Sequence, residues 1–198
     1  MRSLALPVLA PAVPRRGWGT GRVVGRTVMR VAGWTFQGNI PNVAKAVIIV
    51  APHTSNWDFV IGAAAMLALD LDLRFLGKHT LFEGPLAPIM RALGGIPVDR
   101  SQPGSGVVDR MVELFAAEER LILALAPEGT RGRVTRWRTG FHSIAAGAGV
   151  PIVPVALDYG RRTIFLGPPI DAGDDLEDDL ASLHTFFADA TGRRPLAS

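Results

Sequence analysis

Residues 46–50 read Ala-Val-Ile-Ile-Val, and residues 51–58 read Ala-Pro-His-Thr-Ser-Asn-Trp-Asp. The first five form a short, continuous, β-branched run. Such a run reads as a strand buried on both faces, as in a parallel sheet. The polar block follows it directly, and Asp58 to about Leu69 reads as a helix. That helix segment is too short to span a bilayer, which needs about 20 residues.

The same alternation continues downstream. Arg74 to Leu76 reads as a second short strand. Pro85 to Leu93 reads as a helix with Pro85 in its first turn, ended by Gly94-Gly95, and Ile96 to Val98 as an extended piece. Val107 to Arg120 is amphipathic, with Val107, Val108, Met111, Leu114 and Phe115 at helical spacing. Leu121 to Ala126 (LILALA) is another buried strand, Phe141 to Ala148 a small-residue helix ended by Gly149, and Ile152 to Leu157 and Thr163 to Leu166 further strands. Asp171 to Asp179 carries six acids and no base, which suits a helix N-terminus, and Leu180 to Ala190 continues as that helix. Strands alternating with helices predict an α/β fold, with a central mixed, mostly parallel sheet flanked by helices. No internal repeat or long linker divides the chain.

At 198 residues the chain has the length of one domain. Hydrophobic residues make up 48% and charged residues 20%, enough for a real core and against global disorder. There is no cysteine, which excludes a disulfide framework, a cysteine nucleophile and a thiolate metal site.

Upstream of the opening stretch the chain is basic. Residues 1–57 hold six arginines and Lys45 and no acid, a charge of +7, so the net +3 leaves −4 for residues 58–198. Such asymmetry suggests an anionic partner. Aromatics are only 7% of the chain and Tyr159 is the single tyrosine, so no RNA-binding aromatic signature accompanies the charge, and no nucleic-acid partner is expected. Arg22, Arg26 and Arg30 share one helical face between Arg22 and Trp34, while Val23, Val24, Val28, Val31 and Trp34 lie largely elsewhere. Two readings fit this pattern: a helix lying on anionic lipid, or one packed on the domain with its arginines solvated. Leu4 to Val13 resembles a short apolar signal core, but contains Pro7 and Pro11 and lacks a small-x-small cleavage site. It reads as a disordered or membrane-grazing tail. The expected organisation is a tail and basic amphipathic helix over residues 1–40 and the α/β domain over 41–198.

Chemistry is expected beyond the carboxyl ends of the strands, where open α/β sheets gather their sites. Two polar blocks fall there. In the first, His53 is five residues before Asp58; a turn folding the carboxylate onto the imidazole fixes its tautomer and leaves the other nitrogen as a general base for a hydroxyl. Ser55-x-x-Asp58 is equally a capping-box-like helix start that needs no catalysis. In the second block, Glu128-Gly129-Thr130-Arg131 combines a hydroxyl with a guanidinium suited to phosphate or carboxylate. Four such residues alone also fit a polar turn hinged at glycine.

Taken together, the blocks resemble the glycerolipid acyltransferases, the 1-acylglycerol-3-phosphate acyltransferase family. His53 to Asp58 match its His-x-x-x-x-Asp block, and Pro127 to Arg131 its Pro-Glu-Gly-Thr-Arg block. Gly77-Lys78 with Gly95-Ile96-Pro97-Val98-Asp99-Arg100 resembles the second block, and Val150-Pro151-Ile152-Val153-Pro154-Val155 the fourth. All four occur in the family's order over residues 53–155. The resemblance implies that His53 deprotonates the acceptor hydroxyl and Asp58 orients it, with Thr54, Ser55, Asn56 and Trp57 beside them in the substrate site. It further implies that Glu128, Gly129, Thr130 and Arg131 hold the acceptor and that Arg131, assisted by Lys78 and Arg100, holds its phosphate. The acceptor would be a lysophospholipid and the donor an acyl thioester of coenzyme A or acyl carrier protein, with no cofactor and no metal. The protein would sit peripherally on the cytoplasmic face of a membrane through its N-terminal helix.

Two positions depart from the pattern: Pro52 stands where the family often has Asn, and Trp57 is bulky beside the proposed dyad. The arginine-rich segment Gly132 to Gly140, with Trp137, fits either a grip on the phosphates of coenzyme A or an acidic carrier, or a solvated loop. A thioesterase using the same residues and a non-catalytic lipid-binding protein are the competing classes.

Overall fold

The buried run at residues 46–50 forms the centre of the sheet. In the computed structural model, which describes residues 4–99, 106–128, 137–173 and 175–193, β2 (Lys45–Ala51) lies between β5 (Leu121–Leu125) and β6 (Ile152–Asp158), parallel to both. Ala46 to Ile49 are all buried, as a strand flanked and covered on both faces requires. The seven strands run in the order β1-β7-β6-β2-β5-β3-β4. β3 (Arg74–Lys78) and β4 (Gly95–Val98) extend the parallel set. β7 (Thr163–Leu166) is antiparallel to β6, and β1 (Thr35–Gln37) is parallel to β7. The sheet is therefore mixed and mostly parallel, and the carboxyl ends of β2, β3, β4, β5 and β6 share one edge.

Helices cover both faces. α1 (Gly19–Ala32) and α2 (Asn56–Leu69) pack on one core, built from Met29, Trp34, Ala46, Ile48, Ile61, Ile122 and Val153 among others. α4 (Val107–Ala117), α5 (Gly140–Ala148) and α6 (Leu176–Phe187) close the second, around Val47, Ile49, Phe115, Leu123, Phe141 and Leu183. α3 (Ala87–Ala92) follows a 3-10 turn at His79–Phe82 beyond β3. Alternate residues of β2 fall in alternate cores, as the two-residue repeat of a strand demands.

The structure differs from the sequence reading at the N-terminal end. Residues 4–18 are packed rather than free: Leu9 and Val13 are buried in the first core, and Arg16 donates to the carbonyls of Ala92, Leu73 and Leu93 and pairs with Asp72 at 3.2 Å. The core thus runs across position 40 without a break. α1 ends at Gly33, whose φ of 71° supplies the left-handed cap. Trp34 is therefore not on the helix; it turns inward and is 4% exposed. Of the helix's valines only Val28 packs partly against the core. Gly25 and Met29 face α2, whereas Val23, Val24 and Val31 are exposed. A methyl on Gly25 would collide with the backbone of Ala64 and Ala68, so glycine is what lets the two helices approach.

Candidate active site

The turn after β2 carries a cis Ala51–Pro52 peptide and delivers His53, Thr54 and Ser55 to the carboxyl edge of the sheet. Ser55 is the N-cap of α2. Its Oγ accepts the Trp57 amide at 3.1 Å, and the Ser55 amide donates to Asp58 Oδ2 at 2.6 Å. This is a complete capping box. One side chain therefore both caps the helix and lies close to the imidazole. While closing the cap, Asp58 Oδ2 also accepts the Thr54 amide at 2.6 Å and stands 3.5 Å from His53 Nδ1. The Asp58 side chain is 0% exposed and that of His53 is 22% exposed. A separation of 3.5 Å is longer than a full hydrogen bond.

Neighbouring strands bracket this pair. In the turn after β5, Glu128 Oε1 accepts the His53 amide at 2.9 Å. Its Oε2 is buried and has no hydrogen-bond partner among the described residues. Burial pushes the Glu128 carboxyl up to about 7, with the charge of Asp58 adding to the rise and the His53 amide opposing it. Directly after β6, Tyr159 donates its hydroxyl to Asp58 Oδ1 at 2.7 Å, and Ser55 Oγ reaches the same oxygen at 3.2 Å. Burial, then the contact with Asp58, pushes the Tyr159 phenol above its ordinary range. Its ring meets Trp34 edge-on at 4.9 Å.

The other expected site residues divide. Thr54 and Ser55 are buried around Asp58, while Asn56 is exposed in the first turn of α2. Trp57 is 51% exposed, and the Arg193 guanidinium lies 4.8 Å from its ring centroid, a cation–π contact. Lys78 ends β3 on the same sheet edge, two strands from β2 and hence roughly 10 Å away. Arg100, Gly129, Thr130 and Arg131 lie outside the described residues, as do Arg133 and Arg136. The Arg138 amide donates to Pro127 O at 2.9 Å, which joins the two ends of the segment between them. Trp137 packs against Phe141, His184 and Phe187, a partly buried role that neither reading of that segment included.

Tyr159 was not among the expected site residues. Its signal was positional: it stands directly after a strand that ends on the same edge as β2. A hydroxyl there faces the site as the residues after β2 and β5 do.

The assembled groups are an imidazole backed by a buried carboxylate, a second carboxyl that changes protonation near neutrality, and a phenol, all at one sheet edge. They can take a proton from a hydroxyl and hold it as imidazolium. Comparison with known proteins bears on what carries that hydroxyl. A family model described as Acyltransferase matches residues 33–158, more than half of the chain. The chain is 31% identical over 125 residues to a chloroplastic 1-acyl-sn-glycerol-3-phosphate acyltransferase of Brassica napus, covering 60% of this chain and 35% of that protein. It is 28% identical over 160 residues to a 1-acyl-sn-glycerol-3-phosphate acyltransferase of Streptococcus pneumoniae, covering 71% and 59%. It thus spans about a third to three fifths of the length of these curated relatives. The crystal structure of the 1-acyl-sn-glycerophosphate acyltransferase PlsC from Thermotoga maritima superposes with a TM-score of 0.61 at 20% identity, over 84% of this chain and 75% of that one. That likeness is one of fold.

Proposed function

The chain belongs to the acyltransferase family, and from that premise we propose that it transfers a fatty acyl group from an acyl thioester to the hydroxyl of a 1-acylglycerol-3-phosphate or a similar lysophospholipid. The observation that carries this reading is the placement of His53 against the buried carboxylate of Asp58 at the sheet edge. With Nδ1 turned to Asp58, Nε2 on the far side of the ring takes the acceptor's hydroxyl proton. The oxygen attacks the thioester carbonyl, a C–O bond forms, and the C–S bond breaks. The leaving thiolate takes the proton back from the imidazolium, which the Asp58 carboxylate has stabilised meanwhile. The donor is coenzyme A or acyl carrier protein. Neither a covalent acyl-enzyme nor a cysteine is needed, and the chain has no cysteine.

Glu128 contributes through its charge state. An acceptor phosphate is repelled by carboxylates, and a carboxyl that holds its proton to about pH 7 adds little to that repulsion. Arg131, Lys78 and Arg100 are the proposed phosphate ligands, with Gly129 and Thr130 completing the acceptor site.

The substrates are lipids, and α1 supports peripheral docking at a membrane. Val23, Val24 and Val31 are 66%, 56% and 83% exposed on its outer side, beside Arg22 and Arg30. At its C-terminal end a cleft of about 410 Å³ is lined by Arg30, Arg161, Arg162 and Trp34. Apolar groups rimmed by arginine suit the boundary of an anionic bilayer. No described helix is long and apolar enough to cross a membrane. The cytoplasmic face is proposed because the acyl carriers are found there.

The test incubates purified protein with labelled acyl-coenzyme A or acyl carrier protein, anionic vesicles and a panel of lysolipids, beside His53→Ala. The expected outcome is a new acylated lipid whose rate falls about 10²–10⁴-fold in the variant. Full activity in His53→Ala overturns the mechanism, and free fatty acid as the only product at every acceptor concentration replaces the transferase with a hydrolase.

A further inference from the structure

We propose that Tyr159 is a positioning residue for acyl transfer, holding the Asp58 carboxylate in the orientation that faces His53. The inference rests on the His53–Asp58 reading above and extends it to a residue that follows another strand.

The argument starts from what holds each oxygen of Asp58. Oδ2, the oxygen facing His53, accepts the amides of Thr54 and Ser55, both from the same turn. Oδ1 accepts Tyr159 OH at 2.7 Å and Ser55 Oγ at 3.2 Å. Ser55 Oγ is already an acceptor for the Trp57 amide. Take Tyr159 away, and the other three of these hydrogen bonds all come from residues 54–55, so the carboxylate would move with that turn. Tyr159 lies 101 residues away in sequence, directly after β6, and ties Asp58 to the body of the sheet. A planar carboxylate with both oxygens bonded to separate segments resists rotation about its own bond to the chain. A phenol–carboxylate bond is charge-assisted and among the stronger kinds.

Tyr159 is itself fixed. Its amide donates to Thr191 O at 2.8 Å, and its ring sits edge-on against the buried indole of Trp34. A phenol is protonated at neutral pH and so is a donor there, and burial and the contact with Asp58 push its titration higher still. Trp34 directly follows the Gly33 cap of α1, so a contiguous line of contacts joins the end of that helix to the dyad.

The experiment compares wild type, Tyr159→Phe and His53→Ala in the acyl-transfer assay, with donor and acceptor each varied. Tyr159→Phe is expected to lower kcat about tenfold or more, with both KM values within about twofold, because orientation of the base acts on the chemical step. A hydroxyl that only stabilised the fold would lower the melting temperature and leave kcat per folded molecule unchanged. A kcat within about twofold of wild type, beside an inactive His53→Ala, overturns the inference while leaving the dyad standing. A fully active His53→Ala instead removes the dyad reading itself. If Tyr159→Phe does not fold, the single tyrosine permits a second measurement. Biosynthetic 3-fluorotyrosine labels position 159 alone, and its fluorine resonance reports phenol titration. Asp58→Asn is expected to move that titration toward lower pH; no movement overturns the inference.

Discussion

Glu128 is the group near the dyad on which pH should act most directly. Its carboxyl titrates near 4.5 when unfolded and at about 7 in the folded chain, chiefly because it is buried. Between those values the folded state binds more protons than the unfolded one, so stability falls as pH rises through that window and is level above it. The difference amounts to about 3 kcal/mol at most. Glu128→Gln keeps an acceptor for the His53 amide and removes the ionisation. Its melting temperature relative to wild type should therefore climb from about pH 5 to about pH 8; parallel melting-versus-pH curves would sink this account. His53, Asp58 and Glu128 could be singled out as candidates in the sequence because each lies in a polar block after a recognisable strand and the blocks together resemble one family's motifs. Tyr159 was not, since its hydrogen bond depends on the adjacency of β6 and β2, which local spacing does not encode. The tie from Glu128 to the His53 amide was hidden for the same reason: it joins residues 75 apart in sequence.

At the scale of elements, the contact between α1 and α2 decides how the N-terminal end sits. Two glycines offer a paired test. Gly25 meets the backbone of α2, so Gly25→Ala forces an overlap costing about 1–3 kcal/mol, more than the roughly 1 kcal/mol that alanine gains in a helix. Gly62, within α2, has open space where a methyl would stand, with nothing beyond its chain neighbours and its own helix backbone within 4 Å, so Gly62→Ala should stabilise by about 0.5–1 kcal/mol. Urea unfolding of the two variants should give shifts of opposite sign, and equal signs would contradict the packing described. The strands and long helices were readable to within a few residues because buried β-branched runs and 3.6-residue periodicity are local signals. β1, three residues long, has neither, and it exists only because β7 offers it an edge. The buried face of α1 does not follow from its periodicity. Its valines mark an apolar side, but the close approach at Gly25 to α2 selects the small-residue side for burial.

At the scale of the whole molecule, the charge asymmetry and the outward valines of α1 bear on the same question. Residues 1–57 carry +7 and the remainder −4. An anionic surface would attract the first part and repel the second, which orients the molecule as well as binding it. Deleting residues 1–40 is a poor test of this idea, because Leu9, Val13, Met29 and Trp34 belong to the main core and their loss would expose it. Substitution on the exposed face avoids that confusion. Val24 and Val31 are both more than half exposed, so Val24→Asp with Val31→Asp should leave the melting temperature nearly unchanged, within about 0.5 kcal/mol per site. In a flotation assay the pair should weaken binding to anionic vesicles about tenfold or more, through lost apolar contact and added repulsion. Raising salt well above about 0.1 M should weaken wild-type binding as well, since exposed charges are screened within about 10 Å at that strength. Unchanged flotation in the double variant would remove α1 from the docking surface. Acyl transfer to a lysolipid dispersed in detergent separates the two roles: the variant should match wild type there, because none of its changes touches His53, Asp58 or Glu128, and fall behind only on vesicles.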